Sequence, residues 1–442
     1  MENFSTIAAI STPLGIGGIS IIRMSGKESL KIAESVFKSK QSLKPRVMTL
    51  GDFDARDFKE KCLCVYFKAP YSFTGEDMIE FQCHGGVAIT NGILQSLLDN
   101  GAMLASPGEF TKRAFINGKM NLSQAEGMMD MINAESDAEI RAGYTLLNGE
   151  LAKKVKKYQE MLTDLISEIE VSFDYPENDY ELDVQKKIKC TLKEIKKGLE
   201  DLIATENKGK VIKDGVNVLI IGKPNVGKSS LLNALINEEK AIVTSTAGTT
   251  RDVIESKYIF NGIKFNIYDT AGLRQTEDEI ENIGIEKAKK LIDSADIILR
   301  VIDDVNKRET LEDEFINKLL DGKKYYIIKN KIDLEPTRSN ADFYISAKTN
   351  AGIEELKQGI YDIVFNEKVN ENALVITNKR HLEILKKVKK YIENALENVG
   401  NITLDVVSID INLSWQALGE ITGDTSNETI LDEIFSKFCL GK

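Results

Sequence analysis

The sequence predicts a multidomain fold, in which an α+β amino-terminal domain precedes a helical bundle and an α/β domain interrupts that bundle. Three observations lead to this prediction. Residues 1–119 alternate short apolar runs with glycine-rich turns, which is typical of mixed α+β structure. On both sides of a central segment, apolar residues recur every three or four positions, which indicates amphipathic helices. The central segment alternates buried-strand candidates with helical spacers, the pattern of a layered α/β domain.

Length and composition agree with several folded domains. At roughly 150 residues per domain, the 442 residues correspond to about three. The net charge of −11 argues against a surface that binds nucleic acid everywhere, although local basic patches remain compatible with it. The five cysteines show neither zinc-site spacing nor a disulfide framework. No signal peptide and no apolar run of bilayer length is evident, so we expect a cytoplasmic protein.

The predicted boundaries divide the chain into an amino-terminal domain (1–119), a first helical part (120–213), an α/β domain (214–366) and a second helical part (367–442). Strand candidates of the first domain are residues 19–22, 62–67 and 78–83. Those of the α/β domain are residues 216–221, 265–268, 297–302 and 325–328. The helical stripes, which we interpret as bundle core, are Leu151, Val155, Tyr158, Leu162, Leu165 and Ile169; Ile188, Leu192, Ile195 and Leu199; and Leu382, Leu385, Val388, Ile392 and Leu396.

A phosphate-binding loop follows the first strand of the α/β domain. The strand 216–221 runs into Gly222-Lys223-Pro224-Asn225-Val226-Gly227-Lys228-Ser229 and then into a helical segment. Glycines let the loop backbone curl so that its N–H groups point at phosphates, and the helix amino terminus adds a favourable dipole. Lys228 supplies a positive charge to the outer phosphates, and the Ser229 hydroxyl can ligate Mg²⁺.

Three further motifs follow in the order expected of a Ras-like G domain. Asp269-Thr270-Ala271-Gly272 follows a strand, where Asp269 can reach Mg²⁺ through water and Gly272 the γ-phosphate. In Asn330-Lys331-Ile332-Asp333, the carboxylate of Asp333 can accept two hydrogen bonds from guanine, which adenine cannot donate. Ser346-Ala347-Lys348 completes the base pocket. The motifs together predict binding and hydrolysis of GTP.

The hydrolytic residues are less standard. The position after Gly272, which holds a water-orienting glutamine in Ras-like GTPases, is Leu273, and a leucine cannot orient water. Glu281 is a candidate for that role, although an acid in such a run can equally be a solvated helix position. No arginine finger is obvious in the chain.

At this point the chain resembles a known family. Thr246-Ala247-Gly248-Thr249-Thr250-Arg251-Asp252, together with Asn225, is similar to the potassium-activated GTPases of translation and ribosome assembly. Further motifs, over essentially the whole chain, resemble the MnmE (TrmE) family of tRNA uridine-modifying GTPases. They are Ser72-Phe73-Thr74-Gly75-Glu76-Asp77, Cys83-His84-Gly85-Gly86, Pro107-Gly108-Glu109-Phe110-Thr111-Lys112-Arg113-Ala114-Phe115 and Cys439-Leu440-Gly441-Lys442.

The resemblance implies a tetrahydrofolate-binding amino-terminal domain that forms a homodimer. It also implies a flavoprotein partner, MnmG (GidA), with which the protein modifies carbon 5 of the wobble uridine of certain tRNAs. The one-carbon unit would come from a reduced folate, 5,10-methylene- or 5-formyl-tetrahydrofolate. No membrane and no DNA is expected as a partner.

Site residues follow from the motifs and the resemblance. The implied folate-binding residues are Arg23, Glu80, Lys119 and Lys442, and the implied catalytic residues are Glu281 and Cys439. The K⁺ ligands would be Asn225, Thr244, Thr246 and Thr249, and the Mg²⁺ ligands Ser229 and Thr250. The GTP-binding residues would be Asn225, Val226, Gly227, Lys228, Ser229, Ser230, Thr244, Ser245, Thr246, Ala247, Gly248, Thr249, Thr250, Asp269, Thr270, Ala271, Gly272, Asn330, Lys331, Asp333, Ser346, Ala347 and Lys348.

Alternatives remain open at three places. Apart from the resemblance, Arg23, Glu80 and Lys119 would be read as surface charges. Cys439 could act chemically, position the tail or simply pack it. For the whole chain, the alternative to RNA modification is a ribosome-assembly or translation GTPase that binds and releases RNA without modifying it.

Overall fold

A computed structural model describes residues 5–174, 178–236, 256–269, 289–303, 311–334, 340–365 and 374–441. The chain forms two compact units. The first consists of Met1–Ile132, Gly143–Glu200 and Glu383–Lys442, and the second of Asn133–Ala142 and Asp201–Leu382. Within the described residues, no helix has the length and apolarity needed to cross a bilayer.

The first unit contains a seven-stranded sheet. Its neighbouring strands are antiparallel except β1 and β7, which are parallel. The order across the sheet is β3-β4-β5-β6-β2-β1-β7. The strands are β1 Ile7–Ile10, β2 Gly17–Ser25, β3 Phe37–Ser39, β4 Thr49–Ala55, β5 Phe58–Phe67, β6 Met78–Gly85 and β7 Met103–Leu104.

One face of this sheet is covered by helices Ser29–Val36 and Val87–Asp99, and together they enclose an apolar core. The core includes three free cysteines, Cys62, Cys64 and Cys83, which alternate with more exposed neighbours along their strands. Such alternation follows from the two-residue period of a strand. The short helix Glu109–Ile116 buries Phe110 in a smaller cluster with residues of β1.

The remainder of this unit is helical. The helices are Leu122–Asn133, Glu150–Asp174, Asn178–Ile203, Lys379–Asn398, Leu404–Thr422 and Glu428–Ser436. Helices Asp137–Leu147, Asn178–Ile203 and Lys379–Asn398 have residues in both units. The predicted apolar stripes of helices Glu150–Asp174 and Asn178–Ile203 are buried, as expected for bundle core. In helix Lys379–Asn398 the buried face is rotated slightly. Leu382 and Leu396 are only partly buried, while Ile384 and Ala395 lie in the core.

The bundle is formed by segments on both sides of the α/β domain. Gln159 Nε2 donates to the Trp415 carbonyl at 3.2 Å, so helix Glu150–Asp174 contacts helix Leu404–Thr422. Lys196 pairs with Glu393 at 2.9 Å, and Lys389 pairs with Glu200 at 3.2 Å. These contacts agree with the prediction of one helical bundle interrupted by an insertion.

The second unit contains a six-stranded sheet in the order β13-β12-β11-β8-β10-β9. All neighbouring strands are parallel except β9, which pairs antiparallel with β10 at one edge. The strands are β8 Val216–Ile221, β9 Ser256–Phe260, β10 Ile263–Asp269, β11 Ile297–Ile302, β12 Tyr326–Lys329 and β13 Phe343–Tyr344. Helices Glu206–Asp214, Lys228–Ile236, Leu311–Leu319 and Ile353–Val364 belong to the same unit.

The central strands of this sheet are buried on both faces, as their continuous apolar runs predict. Apolar clusters form on each side of the sheet, one around Val218 and Ile220 and one around Leu219 and Ile221. The predicted fold class, with α+β, helical and Ras-like α/β parts, is therefore confirmed. The domain boundaries given above stay a prediction.

Two segments outside the predicted limits of the α/β domain pack within this second unit. The Ala138 N–H donates to the Gly262 carbonyl at 3.1 Å, and Glu135 accepts from Lys257 and Lys264. At the other end of the domain, the Ile376 N–H donates to Thr205 Oγ1 at 3.0 Å. Nothing in the apolar pattern of these short segments indicated this packing.

Candidate functional site

The carboxyl ends of four parallel strands bring the predicted nucleotide motifs to one edge of the second sheet. β8 leads into the phosphate loop and β10 ends at Asp269. Asp303 follows β11, and Asn330 follows β12. The strand order reverses on either side of β8, because β10 and β11 flank it. In open α/β sheets, ligands bind at such a switch point.

The two glycines of the phosphate loop lie where a side chain would collide with neighbouring atoms. A Cβ on Gly222 would come 2.4 Å from the Val301 carbonyl oxygen, and one on Gly227 would come 2.3 Å from Asn330 Nδ2. Gly227 also has a φ of +96°, which disfavours other residues. The spacing of the glycines is therefore set by close backbone approach to β11 and to the loop after β12.

Lys228 and Ser229 begin helix Lys228–Ile236 directly after the loop. Lys228 is buried, and its Nζ donates to the Lys223 carbonyl at 2.8 Å, so the ammonium group lies against the loop itself. Ser229 Oγ donates to Asp269 Oδ2 at 3.2 Å. A hydroxyl and a carboxylate at this distance are hard oxygen donors of the kind that Mg²⁺ prefers, and the residues present fit that ion.

The base side of the site is assembled around the buried side chain of Asn330. Its Nδ2 donates to the Val226 carbonyl at 2.9 Å, while its Oδ1 accepts from the backbone N–H groups of Lys331 and Ala347. One amide thereby holds together the phosphate loop, the loop after β12 and the loop after β13. Three of the predicted motifs are in contact through this residue.

Asp333, in the loop after β12, is exposed. Ser346 Oγ donates to Asp333 Oδ1 at 2.6 Å. This hydrogen bond lowers the pKa of Asp333, and the positive charges of Lys348 and Lys331 act in the same direction. The carboxylate is therefore ionised at neutral pH, in the state that accepts hydrogen bonds from a guanine edge.

Asp303 is a residue of this site that the sequence reasoning missed. Its buried carboxylate accepts from Lys331 Nζ at 2.5 Å, and Lys331 also donates to the Asn225 carbonyl at 2.6 Å. Asn225 and Lys331 both have left-handed backbone conformations, with φ of +62° and +64°. The available signal was the position of Asp303 directly after a buried strand, at the same sheet edge as Asp269 and Asn330.

A second group of predicted residues lies in the first unit. Arg23 on β2 stands directly opposite Glu80 on β6, and their side chains form an ion pair with N–O distances of 2.8 and 2.9 Å. The guanidinium also lies 5.8 Å from the ring centroids of Phe73 and Phe110. Its Nη1 donates to the Gly441 carbonyl at 3.3 Å, so the carboxyl-terminal tail reaches this ion pair.

Buried Arg113 joins two of the motifs that carry the family resemblance. It pairs with Glu76 at 3.2 Å and with Glu109 at 2.6 Å, and it donates to the Ser5 carbonyl at 2.8 Å. Glu76 also accepts from Ser25 Oγ at 2.7 Å. A buried arginine requires such paired carboxylates, which accounts for charged residues inside otherwise structural motifs.

Two other residues predicted for the site around Arg23 and Glu80 are Lys119 and Cys439. Lys119 is exposed and donates to the Pro70 carbonyl at 2.9 Å. The Cys439 side chain is exposed, and its backbone carbonyl accepts from the Gly108 N–H at 3.4 Å. This exposure does not agree with the interpretation of Cys439 as a buried packing residue, and its chemical and positioning roles stay predictions.

The neighbours Cys83 and His84 do not form a catalytic dyad, because successive residues of β6 lie on opposite faces of the sheet. Burial, together with the charge of Glu60, raises the pKa of Cys83 to about 11, so the thiol is neutral. The mostly exposed His84 ring pairs instead with Glu60, Nδ1 to Oε1 at 2.5 Å. This pair links β5 to β6 at the end of the hairpin away from the connecting loop.

The remaining predicted residues lie outside the described part of the chain. They are Thr244, Ser245, Thr246, Ala247, Gly248, Thr249, Thr250, Thr270, Ala271, Gly272, Glu281 and Lys442, as well as Leu273. The described site is therefore the phosphate loop, Asp269 and the base-side residues.

The sheet order, the phosphate loop and the guanine-side acid define a P-loop GTPase. Comparison with known proteins gives the family. The model of the MnmE helical domain matches residues 122–439, and that of the GTP-binding protein TrmE N-terminus matches residues 6–119. The chain belongs to the MnmE family of tRNA modification GTPases.

Curated relatives match over nearly their full length. The tRNA modification GTPase MnmE of Lactiplantibacillus plantarum is 40% identical, and the alignment covers 99% of each chain. That of Ligilactobacillus salivarius is also 40% identical, with coverage of 99% of this chain and 98% of its own.

Among solved structures, the G domain of the T. maritima FeoB iron transporter is 27% identical. It covers 34% of this chain and 99% of its own, with a TM-score of 0.27. Aquifex aeolicus Era bound to GDP·AlF₄⁻ is also 27% identical, covers 40% of this chain and 66% of its own, and has the same TM-score. These scores are too low to establish a shared overall fold.

Proposed function

We propose that this protein is a K⁺-activated, Mg²⁺-dependent GTPase that modifies carbon 5 of the wobble uridine of certain tRNAs. It acts with the flavoprotein MnmG and takes a one-carbon unit from a reduced folate, 5,10-methylene- or 5-formyl-tetrahydrofolate. Membership of the family and two separate groups of polar residues, one in each unit, support this proposal. The single observation that carries the GTPase part is the ionised Asp333, which accepts a hydrogen bond from Ser346. Nearby, Asn330 connects the three motifs of the site through its hydrogen bonds.

In the nucleotide site, the chain's own residues bind and orient the triphosphate. Backbone N–H groups of the loop and the ammonium of Lys228 bind the phosphates, while Asp333 selects guanine. Ser229 and Thr250 would ligate Mg²⁺, Asp269 would reach it through water, and the ion would neutralise phosphate charge. The acid expected to assist hydrolysis is Glu281.

Potassium dependence is proposed from Asn225 together with Thr244, Thr246 and Thr249. Asn225 has a left-handed backbone conformation, and its carbonyl accepts a hydrogen bond from Lys331 Nζ, which restrains its position in the loop. A monovalent cation there would supply the positive charge that an arginine finger supplies in other GTPases.

The proposed folate site is centred on Arg23 and Glu80. Their side chains retain 19% and 16% exposure, so the pair is accessible although it lies among aromatic rings. A guanidinium and a carboxylate next to each other offer both donors and acceptors to a polar heterocycle, and the neighbouring rings offer apolar contact. Lys119, Lys442 and Cys439 complete the proposed site. We further propose that the amino-terminal domain mediates a homodimer.

The proposal is tested by reduced-folate binding and wobble-nucleoside analysis. The full-length protein should bind 5-formyl-tetrahydrofolate, and Arg23→Gln should weaken this binding about tenfold or more, because a charged hydrogen-bond donor is removed. tRNA from a deletion strain should lack the wobble modification, and the wild-type chain should restore it where Arg23→Gln does not.

A surface variant in the same unit, Lys31→Gln, serves as the control, since Lys31 pairs with exposed Glu28. Normal wobble nucleosides in the deletion strain would overturn the tRNA-modifying function. Absence of folate binding by the wild-type chain would favour an RNA-binding GTPase without modification chemistry.

A further inference from the structure

Helix Asn178–Ile203 carries six lysines between positions 186 and 197. They differ in whether they form ion pairs with acidic residues. Its buried residues, Ile188, Leu192, Ile195 and Leu199, define the side that faces the bundle. With 3.6 residues per turn, the exposed residues Lys189, Lys193 and Lys197 run obliquely from the flank of that side to the opposite side of the helix. We call these three residues the lysine stripe. At a rise of about 1.5 Å per residue, the stripe is about 12 Å long.

The other lysines of this segment have acidic partners. Lys187 pairs with Glu168, Lys196 pairs with Glu393, and Lys186 pairs with Asp183. The lysine stripe differs, because none of its three members forms an ion pair or hydrogen bond with another residue in the described part of the chain. Within the described residues, these three ammonium groups therefore lack ion-pair partners.

The nearby acids on the same helix form no ion pair with the stripe in the described part of the chain, and this includes Asp201, four residues after Lys197. Glu194 pairs with Lys157 at 3.1 Å and Glu200 with Lys389 at 3.2 Å, each on a neighbouring helix of the bundle. Like charges four residues apart on a helix repel each other. An external polyanion that neutralised the three ammonium groups would remove that repulsion.

We propose that the lysine stripe binds the phosphate backbone of tRNA, an inference that rests on the proposed tRNA-modifying function. The net charge of −11 repels RNA from most of the surface, so binding needs a locally positive region. Lysine is a flexible point charge, which suits phosphate contacts rather than base recognition. The stripe therefore sets affinity and orientation, while selection of the wobble base belongs to the modification site.

The test compares two triple variants of the full-length protein. One is Lys189→Ala, Lys193→Ala and Lys197→Ala. The control is Lys31→Ala, Lys323→Ala and Lys437→Ala, which removes the same charge from lysines that pair with Glu28, Asp293 and Glu433. The probe is an unmodified tRNA transcript with uridine at the wobble position. Binding is measured at fixed K⁺ while sodium chloride is varied.

The stripe variant should bind the transcript about tenfold or more weakly. The slope of log affinity against log salt should fall by about two to three, roughly one for each phosphate that is no longer neutralised. The control variant should match the wild type, and the corresponding triple Lys→Arg variant should restore binding. GTP turnover and the circular dichroism spectrum should be unchanged in all three.

Cys190 provides an independent measurement, because it lies next to the stripe and is one of two exposed cysteines, the other being Cys439. In a Cys439→Ser background, a photocrosslinker on Cys190 should capture the transcript, and capture should fall with rising salt.

The outcomes separate failure of this inference from failure of the proposed function. Unchanged affinity and salt slope in the stripe variant, equal losses in stripe and control variants, or no binding of the transcript by the wild type would each overturn the assignment. Loss of flavoprotein binding with tRNA binding intact would also overturn it and reassign the stripe to an acidic protein. If the wild type binds the transcript through the stripe while the wobble uridine stays unmodified in vivo, the stripe stands and the modifying function fails.

Discussion

The nucleotide site and the Arg23–Glu80 site are assembled in different ways. In the first, short contiguous motifs follow consecutive parallel strands, and the topology alone brings their residues to one sheet edge. In the second, a β2 residue faces a β6 residue, and a carbonyl from the end of the chain joins them. Arg23 and Glu80 form an ion pair there.

The difference shows which kinds of site can be recognised from a sequence. Phosphate binding by backbone N–H groups needs glycines at fixed offsets, so its motif is local and carries its own physical reason. An antiparallel cross-strand pair such as Arg23 and Glu80 leaves no spacing rule, because the loop between its strands has no fixed length. Such a pair becomes visible only through the fold or through a resemblance.

The comparison predicts that each site can be disabled alone, and the largest effect should come from the phosphate loop. Lys228→Ala removes the buried ammonium beside the loop and should lower GTP turnover about 10²–10³-fold, the usual range when one group that stabilises transition-state charge is removed. Reduced-folate binding should not change. Single-turnover hydrolysis measures the loss of GTP turnover, and a folate titration on the same preparation measures reduced-folate binding. Combined loss of the two activities would mean that the variant is misfolded or that the sites are not separate.

The opposite separation is expected from Cys439→Ser. The side chain is exposed, so the substitution should not disturb packing, and GTP turnover should stay within about twofold of the wild type. Wobble-uridine modification should fall by about tenfold or more, whether the thiol takes part in the chemistry at the folate site or positions the tail there. The extent of modification is measured by nucleoside analysis of tRNA from a deletion strain that expresses the Cys439→Ser variant. Full modification by Cys439→Ser would remove this residue from the site.

A smaller effect, within the nucleotide site, sharpens the role of Asn225. GTP turnover should be about tenfold faster in K⁺ than in Na⁺ at equal ionic strength, because a cation of suitable size neutralises transition-state charge. Asn225→Ala should abolish the difference between the two salts. Lys323→Ala, at an exposed residue of the same unit that pairs with Asp293, is the control and should preserve it. Equal rates for the wild type in both salts would contradict the K⁺ assignment.

Much of this molecule could be predicted from its sequence, because the relevant patterns are local. The apolar runs of β8 and β11 and the stripe of helix Glu150–Asp174 follow the periods of strand and helix, and the structure confirms them. Asp303 was missed because a single acid after a strand has no distinctive neighbours. The docking of residues 133–142 on the β9–β10 hairpin was missed because it depends on tertiary contacts of Glu135.

The central proposal joins GTP hydrolysis at the Asp333 site to modification of the wobble uridine in one protein. If the modification requires that hydrolysis, exchanging the base specificity tests the proposal most directly. Asp333→Asn replaces an acceptor toward guanine by a donor, which suits the additional oxygen of xanthine. In a reconstituted reaction with MnmG, tRNA and reduced folate, the variant should be nearly inactive with GTP. With xanthosine triphosphate, it should regain both nucleotide hydrolysis and wobble-uridine modification. Modification that proceeds with GTP in this variant, or that stays absent while xanthosine triphosphate is hydrolysed at the wild-type rate, would contradict the claim.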